Sequence, residues 1–153
     1  MSSDCCASNG NIMILPCSGG SNTGQMANQA AVELTQEGFG KIYCLAGIGG
    51  RLSGFVQSAK DVEQMIVIDG CDVGCGKAVL EGAGVTMKTH LTVTSLGIEK
   101  NKNFNLKPED VAAVKHAVKL ACKTTVSALF EEPIPPSALP RLSGPKGGCC
   151  CGS

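Results

Sequence analysis

A chain of 153 residues, 43% of them hydrophobic, is long enough to bury one core and defaults to a single domain. Its 13 basic and 13 acidic residues cancel, which argues against a nucleic-acid or anionic-membrane surface built on net charge, and 3% aromatic content argues against a base-stacking platform. No apolar run approaches the roughly 20 residues that span a bilayer.

Residues 1–10 read as a flexible leader, with an acid at Asp4 and no basic n-region ahead of an apolar stretch. Ile12–Leu15 is too short for a signal segment, so the expected location is cytoplasmic. Ten cysteines in a cytoplasmic chain point to metal or redox chemistry before structural disulfides.

The first strand is expected over about 11–16, and the turn Cys17-Ser18-Gly19-Gly20-Ser21-Asn22 leads into a helix over about 23–37. Ser21 and Asn22 are candidate N-caps, and Gly38 suits the position just past the helix end. A second strand is predicted over 41–45, followed by a glycine-rich loop at 46–50 and a short helix over 52–59. The apolar run Met65–Ile68 marks a third strand over 64–69, and Gly70–Gly74 opens the next helix, which ends near Gly82 or Gly84. A fourth strand is expected over 90–96.

The last helix starts near Pro108, a favourable first helical residue. Its stripe Val111, Val114, Val118, Cys122, Thr125 and Leu129 has helical spacing and should face the sheet. Lys115, Lys119 and Lys123 read as a solvated face, and His116 lies opposite the stripe. Five prolines and the run Cys149-Cys150-Cys151 make residues 131–153 a Pro/Gly/Cys-rich tail. Strands alternating with helices predict an α/β fold: a three-layer, Rossmann-like sandwich on a mainly parallel sheet of about four strands, occupying residues 11–130.

The chemistry lies in the cysteines. Cys17, Cys44 and Cys71 recur at intervals of 27 residues, each after a short apolar run. A strand, a helix and their turns take about that length, so each thiol is expected at the end of a strand. In a parallel sheet those ends share one edge, where ligands bind. Cys75 lies one helical turn beyond Cys71. A lone strand-end cysteine reads as a core residue; three at equivalent places, with Cys75 in reach, read as a site.

Four thiolates suit zinc in a tetrahedron, leaving the site with two negative charges. Helix N-termini beside the strand ends, with Lys77 and Arg51 as candidate cations, would offset that charge. Asp69 is a candidate to orient the cysteine loop by accepting backbone N–H groups. His90 reads as an ordinary structural or surface histidine. Gly70–Ala78 lacks the glycine spacing and the hydroxyl of a phosphate-binding loop.

Asp69-Gly70-Cys71 and Cys75, with Cys17 and Cys44 completing a quartet, resemble the DGC-domain family, to which zinc binding is attributed. The stretch His90–Ile98 is also similar to that family's strand before its last helix. The resemblance covers about 11–130 and implies a metal site on Cys17, Cys44, Cys71 and Cys75 holding one zinc per chain. It implies no settled role: metal carrier, sensor and structural site all fit, and no protein partner is indicated. The alternative is a thiol redox or sulfur-transfer enzyme with Cys17 or Cys71 as nucleophile. An iron–sulfur cluster is the lesser cofactor alternative. Cys5, Cys6 and Cys149–Cys151 lie outside the matched core, and the tail thiols suggest a metal-passing tether.

Overall fold

The computed structural model describes residues 11–129, with side chains through 124. The expected leader and the Pro/Gly/Cys-rich tail, and the stripe side chains Thr125 and Leu129, lie outside these residues.

Four strands form one parallel sheet in the order β2-β1-β3-β4. β1 (Ile12–Pro16) and β3 (Gln64–Asp69) pair over five residues, from Ile12↔Gln64 to Pro16↔Ile68. Both are covered on both faces, and so both are almost continuously apolar. Alternation sends Ile12, Ile14, Ile66 and Ile68 to one face, where they meet α1 (Asn22–Gln36) and α5 (Pro108–Leu129). Met13, Leu15, Met65 and Val67 face the other way, onto α2 (Leu45–Gly49), α3 (Ser53–Asp61) and α4 (Cys75–Gly82). The result is the three-layer α/β sandwich with a parallel four-stranded sheet that the alternating pattern predicts. No helix among the described residues is long and apolar enough to cross a membrane.

Helix α1 starts as expected. Ser21 is its N-cap, its Oγ accepting the Gly24 N–H at 3.2 Å, and Gly38 follows the end with φ +75°. The stripe Val111, Val114, Val118 and Cys122 of α5 is buried. Burial pushes the Cys122 thiol up to about 11, as befits a core cysteine. Lys115 and Lys119 are not a free solvated face: Lys115 pairs with Glu33 of α1 at 2.8 Å and with Glu37, the C-cap of α1, and Lys119 pairs with Glu37 at 2.7 Å.

Two elements depart from the sequence pattern. β2 is only Lys41–Ile42, and the expected loop at 46–50 is instead helix α2. β2 is an edge strand paired to β1 alone; past it, burying Ile48 completely against the second face favours a helical turn over a longer strand. β4 spans Thr89–Thr92, and Val93–Leu96 is a 3-10 turn closed by Gly97 at φ +82°. β3 ends at Asp69, opposite Thr92, so residues beyond Thr92 have no strand to pair with.

Candidate functional site

The strand order has a reversal between β1 and β3. After β1 the chain leaves toward the face of α1; after β3 it leaves toward the face of α4. The crevice at such a reversal is the usual ligand position of an open parallel sheet. Cys17 follows β1 there, and Gly70-Cys71 follows β3.

Cys17 is still tied to the sheet, its N–H donating to the Ile68 carbonyl at 2.7 Å, and its side chain is buried. The two turns touch through glycine. A Cβ on Gly70 would lie 2.6 Å from the Gly24 amide nitrogen, so only a residue with no side chain lets the β3–α4 turn rest on the start of α1.

Cys71 is partly buried, and Cys75 is the first residue of α4, exposed after Gly74 in the left-handed conformation. Partial desolvation, then the thiol of Cys17, then Asp69 and Cys71, hold the Cys75 thiol above its ordinary value. Three of the four expected thiols are thus electrostatic neighbours.

Cys44 departs from the expectation. It does not end a strand; it is the N-cap of α2, and its sulfur accepts the Gly47 N–H at 3.3 Å. It is not among the groups that raise Cys75. Among the described residues, no three His, Cys, Asp or Glu side chains are arranged to hold a metal ion. The thiols are therefore convergent but not gathered into a coordination shell.

Asp69 performs the orienting role expected of it. Its carboxylate is fully buried; Oδ1 accepts the Gly76 N–H at 2.7 Å and Oδ2 accepts the Lys77 N–H at 3.1 Å. It caps α4 from the end of the neighbouring strand. A Cβ on Gly76 would lie 2.7 Å from Val67 Cγ1 and 3.0 Å from Asp69 Oδ1, so glycine admits the helix to this position.

Sequence reasoning missed two partners. His90 Nε2 lies 2.9 Å from Asp69 Oδ2, and since that carboxylate already accepts backbone amides, Nε2 carries the hydrogen. His90 borders a hollow of about 400 Å³ that Cys71, Lys77, Glu81 and Thr92 also line. His90 pairs with Val67, two residues before Asp69, so the His90 and Asp69 side chains share one face of the sheet. The second partner is Lys100, whose Nζ donates to Cys71 Sγ at 3.2 Å. Lys77 instead approaches Glu81 at 3.9 Å.

The family model described as "DGC domain" matches residues 13–118. The chain is similar to the "Anaerobic and virulence modulator AnvM" of Pseudomonas aeruginosa strain PAO1, with 31% identity over 98 residues, 64% of this chain and 75% of that protein. No solved structure matches.

Proposed function

Because this chain belongs to the DGC-domain family, we propose that the crevice between β1 and β3 is a thiol metal centre that takes one zinc ion per chain. Cys17, Cys71 and Cys75 supply three donors, and Cys44, exposed on the start of α2, is the fourth. The observation that carries this reading is the placement of Cys17 and Cys71 just past β1 and β3, at the topological reversal of the sheet, with Cys75 as the first residue of α4. Thiolates at strand ends, beside the capped starts of α1 and α4, have the donor chemistry zinc prefers.

When bound, zinc would neutralise thiolate charge and link the turns that carry the ligands. The chain's own residues prepare the place. Asp69 fixes the first turn of α4, which sets the spacing of Cys71 and Cys75, and Gly70 lets that turn approach the turn of Cys17. A four-thiolate centre leaves no position for catalytic water, which favours a carrier, sensor or structural role over hydrolysis. The relative's name describes a modulator, in keeping with sensing. Free thiols in such number suit the reducing cytoplasm, and the metal ion, rather than nucleic acid or a membrane, is the partner of this site.

The nearness of the Cys17 and Cys75 thiols favours one second reading, a redox couple in which the two thiols lose two protons and two electrons to an oxidant and form a disulfide. Anaerobic elemental analysis of untagged full-length protein separates the two. About one zinc per chain, lost in Cys71→Ser, supports the metal centre. Metal-free protein with a reversible Cys17–Cys75 disulfide moves the function to redox chemistry.

A further inference from the structure

The segment after the 3-10 turn crosses the crevice. It is fastened to the start of α1 by one side chain, Asn22, which is almost fully buried. Asn22 Nδ2 donates to the Glu99 carbonyl at 2.8 Å, its Oδ1 accepts the Asn101 N–H at 2.7 Å, and its own backbone N–H donates to the Asn101 carbonyl at 3.1 Å. Lys100 stands between these two clamped residues. Lys102 continues the crossing, its Nζ donating to the Gly20 carbonyl at 2.5 Å in the turn that follows Cys17. The two lysines thus reach opposite sides of the reversal, one to the turn of Cys17 and one to the sulfur of Cys71.

We propose that residues 99–103 form a cationic strap over the thiol site, with Lys100 as a positioning residue that offsets the charge on Cys71 and draws anions to that sulfur. The physical case is charge balance. A dication with four thiolates is doubly negative, and without metal the Asp69 carboxylate already places a negative charge at the base of the turn that carries Cys71. Lys100 is the described residue whose ammonium contacts a thiol of the quartet. Its backbone is already fixed by Asn22, so less conformational freedom is lost when its side chain takes up this position. The effect on zinc rests on the metal reading above; the effect on anions does not.

The test uses full-length wild type, Lys100→Gln and Lys100→Arg. Metal-free protein is labelled with iodoacetate and with iodoacetamide, and the rate at Cys71 is followed by peptide mass spectrometry. The thiolate fraction cancels in the ratio of the two rates, which therefore reads local charge. The ratio should fall about fourfold in Lys100→Gln, as expected for one positive charge about 5 Å away in water, and should recover in Lys100→Arg and shrink with salt. Equal ratios in wild type and Lys100→Gln overturn the strap. In the zinc-loaded protein, competition with a chromophoric chelator should show affinity about tenfold lower in Lys100→Gln. Unchanged affinity overturns the charge-offsetting role. A wild-type chain that takes up no zinc sinks the metal reading alone, and the labelling ratios still decide the strap.

Discussion

Asp69 and Gly76 are joined by a 2.7 Å hydrogen bond that runs from the last residue of β3 to the second residue of α4. The bond skips over Cys71 and Cys75, so the turn that carries both thiols is closed at its base by a buried carboxylate. With the Lys77 N–H and His90 Nε2 also bound, Asp69 has three donors directed at two oxygens.

Replacing Asp69 by Asn leaves one acceptor oxygen and turns an NH2 group toward N–H donors. A buried donor facing donors is unsatisfied and repelled. Asp69→Asn should destabilise the fold by about 2–3 kcal/mol. The measurement is urea unfolding of metal-free protein. A loss within about 0.5 kcal/mol of wild type, the range of an ordinary surface substitution, would mean that the carboxylate does not hold the turn.

Gly70→Ala tests the contact between turns. The new Cβ would fall 2.6 Å from the Gly24 amide nitrogen and 2.7 Å from its Cα, both backbone atoms that cannot rotate away. The cost should reach the upper part of the roughly 1–3 kcal/mol seen for overpacking, lowering the melting temperature by roughly 10 °C. Gly54→Ala is the control, since nothing lies within 4 Å of a Cβ there. It should be neutral or slightly stabilising, since Gly54 lies in α3. Equal melting temperatures for the two variants would show that the turns are not in contact.

The layers and three of the four thiol positions were legible in the sequence because they follow from periodicity. Short apolar runs bounded by glycine turns leave little choice but buried parallel strands, and Ile12–Leu15 of β1 and Met65–Ile68 of β3 are such runs. Cys44 was misplaced because β2 has two residues and the following Leu45–Gly49 is glycine-rich, so local propensity favoured a loop. Burial of Ile48 decided for a helix, and that is a tertiary effect. Lys100 was missed for a different reason. Its contact depends on Asn22, 78 positions earlier, and no local pattern pairs the two.

The tie between α1 and α5 should be visible in acid. Lys115 holds the Glu33 and Glu37 carboxyls below their ordinary value of 4.5, chiefly through its hydrogen bonds to them. A folded-state value below the unfolded one means stability that is present above pH 4.5 and is lost as pH falls through the depressed value. These carboxylates are about a third exposed, so the contribution is small, about 0.5–1 kcal/mol. Lys115→Met should be less stable than wild type by that amount at pH 7, and the two should converge well below pH 4.5. Denaturant midpoints at several pH values measure it; a gap that persists at pH 2 would assign the loss to packing.

Cys44→Ser separates the fold from the metal. Serine is a favoured N-cap, so its Oγ can take over the Gly47 N–H that the Cys44 sulfur accepts, and α2 should remain intact. Metal-free Cys44→Ser should therefore melt within about 2 °C of wild type. If Cys44 is the fourth donor, zinc affinity should fall by about tenfold or more while the remaining thiols still hold the ion. Cys17→Ser should behave differently, because Cys17 is buried just past the end of β1; it should lower both metal-free stability and zinc content. Chelator competition alongside thermal melts distinguishes the two outcomes. Full-affinity zinc binding by Cys44→Ser would confine the centre to Cys17, Cys71 and Cys75, with a fourth donor from elsewhere.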